Sequence, residues 1–304
     1  MEIAGLREAE GKHQVLSGAG CGPITDPFVT VVVPVYNEAS CIRDCVESLL
    51  NQDFSPLQVL AVDDGSMDES ASICEDLKIT VLRQQHMGPG TARNFGAQNA
   101  KGNILVFADA DMVLESDYVS KLVAPIKKGQ AIATCHWDEQ VLNWENPWAR
   151  CQTYYLGLPE RRRQPVDPPN GEEIYRAVRK DFFLAYGGMD EHAGRGDDSS
   201  LARRTGVLAT IVRGALCYHR GPESWREVFQ EAVWHGKNVT VEPRDRIRRS
   251  VASLLVTNPV VSVWRNGSKA LKTGEWQLPL YAMTYSVGFD WGIVRGLLTK
   301  NYLK

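Results

Sequence analysis

Residues Phe28 to Val35 read FVTVVVPV, a continuous run of apolar and mostly β-branched side chains. Such a run suits a strand buried on both faces, because a one-sided strand alternates and an amphipathic helix interposes polar residues every turn. Helical spacing follows at once over 41–50, through Ile42, Val46, Leu49 and Leu50. The alternation then recurs. Residues 58–62 read as a second strand, 69–77 as a helix, 79–82 as a third strand, 91–100 as a helix and 104–108 as a strand. Strands alternating with helices predict an α/β fold with a Rossmann-like, mostly parallel sheet, flanking helices and right-handed crossovers. Ligands of such a sheet bind at the carboxyl ends of its strands.

Beyond Asp111 the pattern is mixed: a helix near 117–127, a strand near 131–135 and an aromatic-rich stretch over 144–158. The loop 161–171 is basic and then proline-rich, which reads either as a mobile flap or as a plain surface connection. A helix is expected over 224–238. The end of the chain interleaves apolar clusters with Trp264, Trp276, Trp291 and scattered Lys and Arg. That composition fits either an interfacial element lying on the inner membrane surface or ordinary helices closing the domain.

Composition narrows the function classes. With 43% hydrophobic and 23% charged residues in 304, disorder is not the expectation. The balance of 34 basic against 37 acidic residues offers no electrostatic footprint for nucleic acid, which is not an expected partner. Seven cysteines, odd in number and without CxxC pairs, read as reduced, packed thiols. The first residues, MEIAGLREAEGKHQ, carry no apolar core of a secretory signal, and no window reaches the ~18 apolar residues that span a bilayer. A cytoplasmic location follows as the expectation, with peripheral contact at the inner membrane surface if the C-terminal region is interfacial.

Three constellations carry chemistry, each at the end of an expected strand. Pro34-Val35-Tyr36-Asn37-Glu38 places an aromatic ring and a carboxylate at the sheet edge, where they could hold a base; a turn with a helix cap would use the same residues. Asp63-Asp64-Gly65-Ser66 follows the second strand, with Ser66 placed to start a helix. Asp109-Ala110-Asp111 follows the strand over 104–108. Two carboxylates flanking a small residue can share a divalent ion, and that ion would neutralise the charge developing on a pyrophosphate leaving group.

The segments TVVVPVYNEASCIRDCVESLLNQ, VLAVDDGSMDES, GPGTARNFGAQNAKGNILVFADADM and GGMDEHAGRGDDSSLARR resemble the ordered motifs of family 2 glycosyltransferases with the GT-A fold, over about residues 28–205. The resemblance implies an inverting transfer of a sugar from a nucleoside-diphosphate donor, UDP by default, to a hydroxyl of a saccharide, a lipid-linked or another acceptor, dependent on Mn or Mg. It implies nucleotide contacts from Pro34, Tyr36, Glu38, Asp63 and Arg93, with Asn94 beside them. Asp109 would contact ribose or metal-bound water, Asp111 would ligate the metal, and His219 would supply a further ligand. Asp197-Asp198 stands where the family carries an acidic pair, usually Glu-Asp. Alignment makes Asp198 the general base, with Asp197 its rival. The implied organisation is a flexible tail over 1–26, a catalytic domain over 27–225 with a nucleotide-binding half at 27–112 and an acceptor half at 113–225, and a C-terminal helical extension over 226–304.

Other readings share the fold class. A nicotinamide-linked oxidoreductase would need GxGxxG after the first strand, where PVYNEAS stands. A nucleotidyltransferase would show a glycine-rich basic loop there. A non-catalytic nucleotide-sugar-binding protein descended from a transferase stays open because the family's Glu is Asp197 here.

Overall fold

The computed structural model describes residues 22–191, 196–238 and 259–298. The expected alternation is present. Strand β1 (Val29–Val35) leads to helix α1 (Ile42–Leu50), β2 (Leu57–Asp63) to α2 (Ser70–Asp76), and β3 (Thr80–Arg83) to α3 (Pro89–Asn99). Strand β4 (Ile104–Phe107) completes this half. β1 pairs in parallel with β2 and with β4, so its apolar run is covered on both faces, as the sequence required. Pro34 lies beyond the last β1 residue registered with β4, Val32, so its missing N–H does not interrupt that ladder.

The second half adds strands too short for a sequence pattern to show. They are β5 (Met112–Leu114), β6 (Ala133–His136), β7 (Glu139–Val141), β8 (Ala177–Arg179), β9 (Thr210–Val212) and β10 (Cys217–His219). The main sheet has seven strands in the order β3-β2-β1-β4-β8-β6-β9, parallel throughout except for β8, which runs antiparallel to both β4 and β6. A second sheet, β5-β10-β7, stands beyond the DxD segment. The helices of this half are α4 (Tyr118–Lys127), α5 (Pro147–Leu156), α6 (Lys180–Ala185) and α7 (Asp197–Thr205).

Two apolar layers sandwich the main sheet. Val31, Val33, Ile42, Val46, Leu49 and Ile104 pack on one face, and Val32, Leu60, Val62, Leu105 and Phe107 with α3 and α6 on the other. Close approach at α3 depends on Gly96, where a Cβ would collide with Val32 and touch Val62. The six cysteines among the described residues are free and buried, as packed thiols should be.

The C-terminal helices are α8 (Trp225–Asn238), α9 (Pro259–Thr273) and α10 (Leu278–Leu298). They pack on α5, where Tyr155 meets Tyr281 and Tyr285 with ring centroids 5.3 Å apart. No described helix is long and apolar enough to cross a membrane.

Candidate active site

The carboxyl ends of β1 and β2 are laced together by their loops. The Asn37 N–H donates to Ser66 Oγ, the Glu38 N–H to Ser70 Oγ and the Ala39 N–H to Asp68, while Asn37 Oδ1 accepts from the Met67 N–H. Asn37 adopts φ 57, which its short polar side chain tolerates. Asp64 is buried and organises the segment after β3: its carboxylate accepts from the N–H groups of Met87 and Gly88 and from Gln84, and meets His86 Nδ1 at 2.8 Å. His86 in turn stacks on Tyr36 with centroids 3.9 Å apart. Tyr36 is thus held as a partly exposed ring on the rim. Asp63, also buried, accepts the Ser66 N–H with Oδ1; its other oxygen has no hydrogen-bond partner among the described residues. Pro34 is half-buried at the same strand end.

The DxD carboxylates have different surroundings. Asp109 is gripped by two buried guanidinium groups, Arg93 Nη2 at 2.7 Å on one oxygen and Arg176 Nη1 at 2.8 Å on the other. Burial alone would raise this carboxyl, but Arg176 and Arg93 hold it well below the usual carboxylate range. Arg93 also donates to Asp197 Oδ2 at 3.0 Å, so one side chain joins the end of β4 to the start of α7. Asn94, its neighbour, donates to the Met189 carbonyl and accepts the Met189 N–H. Arg93 and Asn94, expected over the nucleotide, therefore bind α3 to the Gly187–Met189 turn and α7. Gly188 (φ +70) and Gly90 leave room for these contacts, since Cβ atoms there would meet Asn94 and Asp197.

Asp111, more exposed, meets His219 Nε2 at 2.9 Å, and His219 Nδ1 meets Glu139 Oε1 at 2.7 Å. Burial would lower the His219 imidazole, yet Asp111 and Glu139 push it up to about 9. Glu139 is itself buried, and burial would raise it; the His136 imidazole 3.7 Å away, the hydrogen bond with His219 and Arg163 Nε at 3.0 Å keep it well below its ordinary range. Nearby, burial raises the Glu38 carboxyl, with the charges of Asp111, Asp68 and Asp109 adding to it against a hydrogen bond from Cys41. Glu38 thus stands within electrostatic reach of the DxD carboxylates. Sequence reasoning missed Glu139, Arg163 and Arg176. The available signal for Arg176 was a charge set between Tyr175 and Ala177 in an apolar run; nothing marked Glu139 before β7 and β10 were known to pair.

These residues suit a divalent cation in part. Among the described residues no cluster of three or more His, Cys, Asp or Glu is arranged to hold a metal ion. Asp111 Oδ2 and His219 Nε2 nevertheless converge at 2.9 Å, close to the ~3 Å separating adjacent ligands of an octahedral ion with bonds of about 2.1 Å. Glu139 accepts a hydrogen bond from Nδ1–H, so Nε2 would face the ion once a metal displaced its proton. A diphosphate would complete such a shell, as hard cations bound by few protein ligands commonly require. Asp109, with both oxygens committed to arginines, is the expected ligand with least to offer.

The acidic pair opens α7. Asp197 is buried: Oδ2 accepts from Arg93 and Oδ1 from the Asp198 N–H. Burial pushes its carboxyl up to about 6 against the pull of Arg93. The Asp198 side chain is partly exposed and makes no hydrogen bond or ion pair among the described residues.

A family model described as glycosyl transferase family 2 matches residues 30–184, just over half of the chain. The chain belongs to this family. Among curated relatives it is 37% identical over 113 residues to the glycosyltransferase GlyA of Streptococcus pneumoniae, covering 36% of this chain and 16% of GlyA. It is 34% identical over 116 residues to the putative glycosyltransferase EpsH of Bacillus subtilis, covering 36% of this chain and 34% of EpsH. The aligned region thus spans about a third or less of these relatives. A mannosyltransferase of Pyrobaculum calidifontis, solved with GDP-Man and Mn2+, superimposes with a TM-score of 0.57 at 19% identity over 92% of this chain and 90% of its own. That likeness establishes the GT-A fold. The family match contains the DxD segment but ends before Asp197, Asp198 and His219, whose placement comes from the tertiary structure.

Trp144 packs edge-on against Tyr154, and Trp137 is buried with its indole N–H on the Pro165 carbonyl, which helps pin the 161–171 loop over β7. His235 meets the Tyr285 hydroxyl at 2.8 Å within the C-terminal helices.

Proposed function

We propose that the chain is an inverting glycosyltransferase that moves a sugar from a nucleoside-diphosphate donor, UDP-linked by default, to an acceptor hydroxyl. The observation that carries this is the Arg93 bridge: it brings the DxD strand end and the Asp197-Asp198 helix start into one site beside the nucleotide loops. In this reading Tyr36 and Asp63 hold the base, Pro34 and Glu38 shape the nucleotide pocket, and Asp109 orients Arg93 and the ribose side. Asp111 and His219 would hold the cation, whose chemistry is to neutralise the departing diphosphate; an imidazole beside carboxylate favours Mn over Mg.

Asp198 acts as the general base, taking the proton of the acceptor hydroxyl at a carboxylate oxygen as that hydroxyl attacks the anomeric carbon. The assignment over Asp197 is supported by availability: both oxygens of Asp197 already accept hydrogen bonds, and those of Asp198 do not. Asp197 then positions Arg93 and starts the helix. The division into a nucleotide half (27–112), an acceptor half (113–225) and a helical extension (226–304) belongs to the same proposal.

The test is calorimetric binding of UDP-, GDP- and dTDP-sugars with and without Mn, and turnover, for the wild type, Asp111→Ala and Asp198→Asn. The expected result is Mn-dependent binding of one donor, loss of that dependence in Asp111→Ala, and retained binding with about 100-fold or greater loss of turnover in Asp198→Asn. Failure of every nucleotide sugar to bind would overturn the proposal.

A further inference from the structure

The C-terminal helices hide their small residues and expose their large apolar ones. Gly288 and Gly292 of α10 lie against the carbonyls of Phe229 and Val233 in α8, and Gly236 of α8 lies against the carbonyl of Phe289. A Cβ at any of the three would strike backbone, so the two helices approach as closely as helices can. That contact, with Tyr281 on α5, uses one face of α10. The opposite face carries Leu280, Met283, Val287, Trp291, Val294 and Leu298, all exposed and spaced by three and four residues into one stripe. α9 repeats the pattern. Val260, Trp264 and Leu271 are exposed on one side, Trp264 by 81%, with the exposed cations Arg265 and Lys272 on the adjoining side. Trp276, 74% exposed, stands at the corner between the two helices.

Single exposed apolar side chains need no explanation, but a continuous stripe with tryptophans does. We propose that α9 and α10 dock this face on an anionic lipid surface, lying in the interface without crossing it. Charge decides between a membrane and a second copy. Helix α9 holds Arg265, Lys269 and Lys272 and no Asp or Glu, while residues 1–224 hold 22 Lys and Arg against 31 Asp and Glu, a net of -9. Two copies meeting through this face would set like charge against like, whereas an anionic bilayer attracts the segment and repels the rest, which orients the molecule. Tryptophan within an apolar stripe, with Arg265 and Lys272 on the adjoining side, suits the headgroup boundary. The inference does not rest on the transferase reading; the two fail separately.

The experiment is flotation of the full chain with vesicles of phosphatidylcholine alone and of phosphatidylcholine mixed with phosphatidylglycerol, in low and high salt. The expected result is binding to the mixed vesicles, weakened by salt. Binding should fall by about tenfold or more in Trp264→Ser/Trp291→Ser, and anionic selectivity should be lost in Arg265→Glu/Lys272→Glu. Both variants should keep the wild-type circular dichroism and nucleotide-sugar affinity. Failure to bind either vesicle in low salt overturns the proposal, as does equal binding to both vesicles. A self-association abolished by the tryptophan changes, without vesicle binding, would assign the face to a second copy. Absence of both overturns the proposal and leaves the face without either occupant.

Discussion

Replacing Arg93 with methionine removes the side chain that joins Asp109 to Asp197 while keeping much of its volume. Asp197 is 5% exposed, and its carboxyl stands at about 6 against an ordinary 3.8. A carboxyl raised in the folded state binds its proton more tightly there. Its contribution to stability is therefore fully present below about pH 4 and is lost as pH rises through about 6, a cost of about 3 kcal/mol at neutral pH. Without Arg93 the same carboxyl rises further. Breaking a buried ion pair costs about 3–5 kcal/mol. Two features place Arg93→Met at the low end: Asp109 keeps Arg176 at 2.8 Å, and Asp197 can escape by taking up a proton. The expectation is a loss of about 3 kcal/mol at about pH 8 and clearly less at about pH 5, where Asp197 is already largely protonated. Urea unfolding of the wild type, Arg93→Met, Asp197→Asn and the double variant at both pH values measures it. The Asp197→Asn background should reduce the cost of Arg93→Met by about 1 kcal/mol or more. A cost below about 1 kcal/mol at both pH values, or one unchanged by the Asp197→Asn background, would refute the bridge as an energetic element.

Glu139→Gln should weaken Mn affinity in the presence of a nucleoside diphosphate by about 10- to 100-fold, because the His219 ring loses the carboxylate that fixes it; calorimetry showing unchanged affinity would remove that role. Gly96→Ala should cost about 1–3 kcal/mol and lower the melting temperature through collision with Val32. Combining it with Val32→Ala should recover part of the loss, and no recovery would place the strain elsewhere.

Periodicity was enough for the first half of the molecule. The run over Phe28–Val35 had to be a central strand because only a strand flanked on both sides buries every residue of it, and β1 does lie between β2 and β4. The end of each such strand is where ligands gather, so Tyr36, Asp63, Asp109 and Asp111 were legible as neighbours. Expected helix starts differed little: α3 begins at Pro89 rather than Thr91, since proline's fixed φ suits the first turn.

The second half was legible only in outline, for a physical reason. Strands of three residues such as β5, β7 and β10 have no period to detect, and their pairing joins residues about 80 to 100 positions apart. Local sequence marked His219, Asp197 and Arg93 as polar residues near turns or caps. It could not say that Glu139 would accept the His219 Nδ1–H, that Arg176 would close on Asp109, or that Arg93 would join Asp109 to Asp197. Those partnerships depend on which side chains are brought together once the sheet is wound, and on burial that makes an unpaired charge too costly to leave. The chain by itself determined the parallel sheet, the strand-end motifs and the family; the tertiary structure alone decided which carboxylates are committed to arginine and which stay open.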